Sequence, residues 1–414
     1  MAKIKTAGLG MPKAPGAAPP TLALVVAVTL CAFAFAIDLS ELALSNVLSA
    51  VFAAAPARLQ GLPLSWLLSA LYAGAILGAP LVGLIADHVS LRRVLGWVVL
   101  GLALTSLLTV VSASARSLAA CRLLSGLALG AYPPLMVTYL TRLAPGRSGL
   151  LVFITSAAAY LAPPAVLFTV KALTPIAPLG LEAWRWPYAI AAAGCFVAGL
   201  AFRWAPASEA ASAMGPDLAS PQPRLSLFRF GLVSLLYFLI PWATVAFPLL
   251  TGPVLLARHV SLARTLTYVS LSTVGPAIAA LLSGLVVDRV GRGLVMAVCA
   301  VVMALACMGF FFAHMAYALG AAVILFGLGS ALFLPAMTLF GAEQFPRRLQ
   351  GRGTTLAWAV NRLGAMIASM VLVPLGQANA AGQALLLIVG ALLAIVALVV
   401  TLSRQAREYQ AQPL

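Results

Sequence analysis

The chain has 414 residues, of which 63% are apolar and only 8% are charged, and its formal net charge is +16 at pH 7. Because soluble globular domains contain about 25% charged residues, this composition excludes an ordinary water-soluble enzyme and indicates a helical integral membrane protein. The sequence contains no GxxxxGK[ST] phosphate loop, no HExxH zinc motif and no CxxC pair. We therefore expect no cofactor, no metal site and no enzymatic activity.

Apolar runs long enough to cross a bilayer recur along the whole chain. A spanning helix needs about 20 apolar residues, and the sequence predicts twelve. The predicted spans are residues 21–50, 64–86, 94–113, 118–140, 150–170, 186–204, 227–250, 265–287, 294–312, 316–340, 353–376 and 381–402. The one long polar break lies between the sixth and seventh spans, and it divides the chain into two halves. The predicted segments are an N-terminal cytoplasmic tail (1–20), an N-terminal half (21–204), a cytoplasmic linker (205–226), a C-terminal half (227–402) and a cytoplasmic tail (403–414).

The orientation follows from the distribution of the basic residues. With the N-terminus placed in the cytoplasm, 17 Lys and Arg residues lie on the inner side, 6 on the outer side and 2 within spans, which together make the 25 of the chain. Cytoplasmic loops carry such an excess, so both termini of this multi-pass protein are predicted to be cytoplasmic, in the inner (cell) membrane. The positive charge then reflects topology, and we expect a monomer in the lipid bilayer with no nucleic-acid partner.

An internal repeat relates the two halves. The segment GLIADHVSLRR at 83–93 is followed 201 positions later by GLVVDRVGRG at 284–293. The same offset pairs Gly83 with Gly284, Asp87 with Asp288, Gly126 with Gly327, Pro134 with Pro335, Met136 with Met337, Pro145 with Pro346 and Arg147 with Arg348. The chain is therefore predicted to be a duplicated six-helix unit, with a site near the midplane between the halves.

These motifs resemble those of the major facilitator superfamily. The second loop is similar to the GxxxDRxGRR signature of that family, and the first keeps Gly83, Asp87 and Arg92. The segments RLLSGLALGAYPP, EQFPRRLQGRG and WRWPY extend the resemblance over nearly the whole chain. It implies an all-α membrane protein of twelve transmembrane helices in two pseudo-symmetric six-helix halves, which transports by alternating access.

The resemblance also implies a cytoplasmic gate. In the family, the loop aspartates face the N-termini of helices 11 and 5 of the opposite half, where an anion is stabilised. Contacts of this kind would close the cytoplasmic side and break when the halves rock. The predicted gating residues are Gly83, Asp87, Arg92, Gly284, Asp288, Arg289, Gly291 and Arg292.

Subfamily motifs point in two directions. The segment IDLSE in helix 1 resembles the DGxD element of aromatic acid/proton symporters, and NRLGA at 361–365 resembles their helix 11. The segment AYLAPPAV at 159–166 instead resembles the GxxxGP element of drug/proton antiporters. The direction of transport is therefore left open.

The charged residues within the predicted spans are the leading functional candidates, because a charge in hydrocarbon is costly. They are Asp38, Glu41, Arg122 and Arg362. Asp38, Glu41 and Ser45 follow i, i+3, i+7 spacing and are predicted to share a helix face towards the cavity. We expect Asp38 and Glu41, with Arg122 at a similar depth, to couple transport to protons. Alternatively, Arg122 snorkels to the outer interface and Asp38 ends a helix segment.

The substrate-binding candidates lie in the C-terminal half. On helix 11 the same spacing groups Thr355, Trp358 and Arg362, and a guanidinium at that depth suits an anionic substrate group. Further candidates are Tyr237 and Trp242 on helix 7 and Tyr268 on helix 8. The alternative is structural, since aromatic residues in spans commonly serve in packing and Arg362 could bind a backbone carbonyl.

The sequence thus favours a secondary active transporter of a small organic solute, and it favours proton-coupled symport of an organic anion or metabolite. The alternatives are a proton-coupled drug or metabolite efflux antiporter and a non-transporting membrane sensor.

Overall fold

The computed structural model describes residues 21–130, 132–144, 147–207, 227–286, 291–344, 350–377 and 380–411. Across these residues the chain forms twelve helical spans that are long and apolar enough to cross a membrane, which confirms the predicted all-α fold. The predicted N-terminal tail and most of the predicted linker, residues 208–226, lie outside the described residues, so their cytoplasmic placement stays a prediction.

The spans are numbered in chain order. Their helices are span 1, Thr21–Ala54; span 2, Leu64–His88; span 3, Leu91–Val111; span 4, Ala115–Leu129 and Tyr132–Leu143; span 5, Ser148–Tyr160 and Ala162–Leu173; span 6, Arg185–Ala201; span 7, Leu227–Leu239, Pro241–Thr244 and Ala246–Ala257; span 8, Leu262–Leu271 and Val274–Val286; span 9, Arg292–Phe312; span 10, Ala316–Glu343; span 11, Gln350–Gln377; and span 12, Ala381–Ala411. Short 3-10 helices occupy Pro56–Leu59, Pro178–Gly180 and Phe202–Trp204.

The interruptions of spans 4, 5, 7 and 8 have a common cause in the sequence. Each new helical segment carries a proline in its first turn: Pro133, Pro163, Pro241, Pro248 and Pro276. Proline lacks the N–H that would continue the preceding helix, but it fits the first turn of a new one. The predicted continuous span at 118–140 is therefore two segments, with the break just before Tyr132.

The two halves repeat the same glycine-mediated helix crossings. In the N-terminal half, a Cβ at Gly74 or Gly126 would overlap backbone atoms of the facing span, at Leu123 and Leu71 respectively. The corresponding residues 201 positions later, Gly275 and Gly327, meet Ile324 and Ser272 in the same way. Spans 2 and 4, and likewise spans 8 and 10, approach so closely that only glycine fits at these points.

The apolar core is divided among three clusters of buried side chains. One lies within the C-terminal half and one within the N-terminal half. The third, which we call the outer cluster, joins both halves at the end of the bundle predicted to face outward; its members include Leu44, Val47, Leu67, Leu249, Val269 and Val373. The five cysteines are buried and free, consistent with their expected behaviour as small apolar residues.

Spans 1 and 7 hold the halves together beside the outer cluster. The Ser49 hydroxyl donates a hydrogen bond to the Leu249 carbonyl oxygen at 2.6 Å. A Cβ at Gly252 would lie 2.7 Å from the Cβ of Ala50, so the two helices touch through small residues. This conformation is therefore closed at its predicted outer end.

Candidate functional site

Two carboxylates lie at the middle of span 1, in the interior of the bundle. Asp38 is 3% exposed and Glu41 is 2% exposed. Carboxylates in a membrane interior are expensive unless they are paired. The structure places an arginine opposite each of them, one from the N-terminal half and one from the C-terminal half.

Glu41 forms a buried ion pair with Arg122 of span 4. One guanidinium nitrogen of Arg122 lies 2.7 Å from Glu41 Oε2, and both side chains are buried. The same nitrogen donates to the Tyr188 hydroxyl at 2.9 Å, and the other terminal nitrogen donates to the Ser45 hydroxyl. Arg122 is therefore locked between spans 1 and 6 and does not snorkel to the interface.

The sequence around Arg122 sets its position in span 4. Ser114 and Ser117 form a capping box, in which each side chain accepts a hydrogen bond from the other residue's backbone N–H. A capping box defines where a helix begins, so Arg122 lies about two turns into the span. The close crossing at Gly126, one turn further on, brings span 4 against span 2.

Asp38 faces a different arginine. Asp38 and Arg362 line one small cavity together with Tyr72, and the ion pairs of the described residues do not include a direct one between them. Asp38 belongs to the N-terminal half and Arg362 to the C-terminal half, so the two residues lie across the interface between the halves. The cavity has a volume of about 10 Å³, which is room for about one water molecule. The cavity is too small for an organic molecule in this conformation.

The aromatic residues near Arg362 form a short stack. The Arg362 guanidinium lies 5.7 Å from the centre of the Trp358 ring, within the range of a cation–π contact. Trp358 in turn meets Tyr237 edge-on, with ring centroids 5.8 Å apart. The predicted grouping of Trp358 and Arg362 on span 11 is thus present in the structure, whereas the side chain of Thr355 lies outside the described residues.

The other aromatic candidates do not line the cavity between Asp38 and Arg362. Tyr237 is fully buried in the core of the C-terminal half, and its hydroxyl donates to the Met337 carbonyl oxygen at 3.5 Å. Trp242 packs against Phe238. Tyr268 is half-buried and donates to the Ala316 carbonyl oxygen at 3.4 Å, near the predicted outer end of the bundle. In this conformation these three side chains make packing contacts.

The helix-face prediction for span 1 needs one correction. Glu41 and Ser45 both contact Arg122, but Asp38 lines the cavity that contains Arg362. Residues three apart on a helix differ by about 60° in direction, and this is enough to send the two carboxylates to different partners. The single predicted face is therefore two adjacent environments.

The predicted gating residues are only partly described. Gly83 lies in span 2, Gly284 in span 8, and Gly291 and Arg292 at the start of span 9. Arg92 donates to the Ala205 carbonyl oxygen at 2.8 Å, a contact with the first residue of the predicted linker. Asp288, Arg289 and the Asp87 side chain lie outside the described residues, so the cytoplasmic gate stays a prediction.

Sequence reasoning missed two residues of the site, Tyr72 and Tyr188. Both are buried, at 3% and 0% exposure. Tyr188 ends the WRWPY segment at the start of span 6, and its ring meets that of Trp184 edge-on, at 6.2 Å between centroids. A hydroxyl that follows a proline in the first turn of a span was an available signal for Tyr188. The sequence contains no such signal for Tyr72, because an aromatic residue in an apolar run is typical of core packing.

Comparison with known proteins is consistent with this architecture. The family model of the Major Facilitator Superfamily matches residues 24–369 and 233–413, which together cover nearly the whole chain. No curated protein sequence matches the chain in a sequence search.

Several solved structures have a similar fold. A D-xylose-proton symporter superposes with a TM-score of 0.72 at 17% identity, covering 91% of this chain and 97% of that one. The nucleoside transporter NupG gives a TM-score of 0.69 at 14% identity, covering 92% of this chain and 99% of that one. The human organic anion transporter MFSD10 gives 0.64 at 18% identity, covering 92% and 100%. At these identities the likeness concerns the fold.

Proposed function

This chain belongs to the major facilitator superfamily, and from that premise we propose that it is a proton-coupled transporter of a small organic anion. The observation that carries the proposal is the placement of Asp38 opposite Arg362 across the interface between the halves. Alternating access requires contacts between the halves that form in one state and break in another. A carboxylate and a guanidinium that share a cavity at that interface make the approach of the two halves sensitive to protons.

The two carboxylates of span 1 have different roles in this proposal. Glu41 and Arg122 form a tight pair within one half, so they can move together as the halves rock. Asp38 is free to lose its partner when the interface opens. Burial disfavours its charged form and Arg362 favours it, so moving Arg362 away from Asp38 promotes proton uptake.

The substrate takes the place of Asp38 on Arg362. Once Asp38 is protonated, the Arg362 guanidinium needs another anion, and a carboxylate fits its planar fork. Trp358 beside it offers a ring face to an apolar or aromatic part of the same molecule. Proton and anion would then cross together, which is symport; antiport would follow if they competed for the same state.

Proteoliposomes with an imposed pH gradient test this proposal. The probes are radiolabelled 4-hydroxybenzoate, as an aromatic carboxylate, and D-xylose and uridine, as neutral solutes; protein-free liposomes correct for passive weak-acid entry. With the acidic side outside, we expect only the carboxylate to accumulate above equilibrium. Reversing the gradient distinguishes antiport, which would require the opposite polarity.

Variants separate proton coupling from binding. Asp38→Asn should abolish gradient-driven accumulation of 4-hydroxybenzoate while its exchange across equal concentrations persists, and Arg362→Gln should lose both. Glu182→Gln, at an exposed carboxylate of the outer loops, is the matched control and should accumulate normally. Accumulation by Asp38→Asn at the wild-type level would refute coupling through Asp38, and accumulation of the neutral solutes alone would refute anion selectivity.

A further inference from the structure

A second cavity lies within the N-terminal half, between spans 1, 5 and 6. Its walls include Ile37, Glu41, Val166, Tyr188 and Ala191, and we call it the lateral cavity. Its volume is about 180 Å³. A cavity of about 150 Å³ with apolar walls holds a benzene molecule, so the lateral cavity has room for one ring-sized group.

Two buried polar atoms without a hydrogen-bond partner belong to residues that line this cavity. Glu41 is bound to Arg122 through Oε2 and its carboxylate also interacts with the Tyr188 hydroxyl, but Oε1 itself has no partner in hydrogen-bond geometry among the described residues. The Ser40 hydroxyl is likewise unpartnered among the described residues, and the residue is 4% exposed. Buried polar atoms are nearly always hydrogen-bonded in native proteins, so we expect a ligand or a water molecule to bind to both atoms.

The chemistry of these atoms selects the ligand. A carboxylate oxygen only accepts hydrogen bonds, and a serine hydroxyl can accept one as well. Most of the surrounding wall is apolar, with Ile37, Leu44 and Val166 among its members. The best match is a molecule with an apolar body and a cationic donor group at one end, because charge-assisted hydrogen bonds to a carboxylate are the strong ones.

The rim of the lateral cavity is exposed on the surface of the membrane-spanning bundle. Ile190 is 65% exposed, and Ala165 and Thr169 are exposed beside it. The Thr169 hydroxyl is already satisfied, since it donates to the Ala165 carbonyl oxygen at 2.7 Å. The rim therefore offers an apolar entrance from the lipid, at the predicted outer half of spans 5 and 6.

We propose that the lateral cavity is a second ligand site, which takes a small lipophilic amine from the outer leaflet and holds its ammonium group against Glu41 Oε1 and the Ser40 hydroxyl. All its walls come from the N-terminal half, so the site keeps its shape while the halves rock. It lies apart from the cavity between Asp38 and Arg362, and its occupancy does not depend on the proposed transport function.

Ligand binding to the purified protein in lipid nanodiscs tests this site without any gradient. The probe is 4-fluorobenzylamine, observed by fluorine NMR, and the comparison molecule is 1-ethyl-4-fluorobenzene, which has the same shape without the donor. Empty nanodiscs correct for partition into lipid. We expect saturable binding of the amine and at least tenfold weaker binding of the ethyl compound.

Two alanine substitutions on span 6 locate the site. Ala191 is buried and lines the lateral cavity, whereas Ala193 is exposed and does not. Ala191→Leu should fill the cavity and weaken amine binding at least tenfold, and Ala193→Leu should leave it unchanged. Equal binding by these two variants would overturn the proposal.

Polar substitutions test the assigned contacts. Ser40→Ala should weaken amine binding severalfold, and Glu41→Gln should remove the preference for the amine over the ethyl compound. If Glu41→Gln does not fold, the affinities of the wild type and of Ser40→Ala for the two probes still test whether the amine contacts these polar atoms. Equal affinity of the wild type for both probes would refute the contact with the carboxylate.

Discussion

The buried pair of Glu41 and Arg122 leads to a quantitative prediction about stability. Glu41→Gln keeps the size of the side chain but removes its charge, which leaves the Arg122 guanidinium buried without a counter-ion. Arg122 would retain the Ser45 and Tyr188 hydroxyls, both neutral acceptors. We therefore expect the substitution to destabilise the folded protein substantially.

The magnitude follows from the geometry of the pair. With a nitrogen–oxygen distance of 2.7 Å, the charge centres lie about 4 Å apart, and unit charges at that separation interact with about 4 kcal/mol at an effective dielectric constant of about 20. Removing one partner of a buried pair costs about 3–5 kcal/mol in measured cases. Because the glutamine oxygen can still accept one hydrogen bond, we expect a loss of about 3 kcal/mol.

A second ion pair in the same protein provides the matched control. Arg58 and Glu182 pair at the predicted outer surface, where their side chains are 38% and 37% exposed. Exposed pairs contribute about 0–1 kcal/mol, so Glu182→Gln should change the stability little. Tryptophan fluorescence during SDS titration of the protein in mixed micelles measures the unfolding free energy of both variants.

A double substitution checks the physical cause. Glu41→Leu combined with Arg122→Met replaces both charged side chains with apolar ones, and replacing a buried pair with apolar groups is often neutral or stabilising. The double variant should therefore recover most of the stability lost by Glu41→Gln alone. Two results would contradict this explanation: equal losses of unfolding free energy for Glu41→Gln and Glu182→Gln, or a double variant no more stable than Glu41→Gln. Either would show that an unpaired buried charge is not the cause of the destabilisation.

Three further predictions concern topology and gating. Residues 205–226 are expected in the cytoplasm, so a cysteine introduced there should resist impermeant maleimides added outside intact cells; labelling would reverse the topology. Asp87→Ala should slow transport at normal expression because it removes a contact between halves, and a normal transport rate would argue against the gate. Gly252→Val should destabilise the closed outer end by about 1–3 kcal/mol, because the new side chain overlaps Ala50. A cysteine at Ser49→Cys should then react faster with maleimides added outside, and unchanged labelling would contradict this prediction.

The hydropathy pattern and the internal sequence repeat predict most of the fold. Twelve apolar runs identify the spans because nothing but a helix satisfies its own backbone in lipid. The offset of 201 residues predicted the duplication, and the structure gives it a physical reason at Gly126 and Gly327, where facing helices leave no room for a side chain. The interruptions of the spans were not predicted, although the prolines that accompany them were visible.

The charged residues of the site could also be found from the sequence alone. Asp38, Glu41, Arg122 and Arg362 stand out because ionisable residues in a span are rare and costly. Helical spacing correctly placed Trp358 beside Arg362, since residues one turn apart on the same helix must be neighbours. Local geometry of this kind depends on one helix and needs no knowledge of the others.

The partners of these charges were decided by tertiary structure alone. Whether Arg122 meets Asp38 or Glu41 depends on how spans 1 and 4 are rotated about their axes and how far they are shifted along them, and hydropathy contains neither quantity. The contact between Tyr188 and Arg122 depends on the same quantities, and the lateral cavity exists only where spans 1, 5 and 6 meet. Sequence thus determined which residues carry charge into the membrane, and the packing of the helices determined what each charge faces.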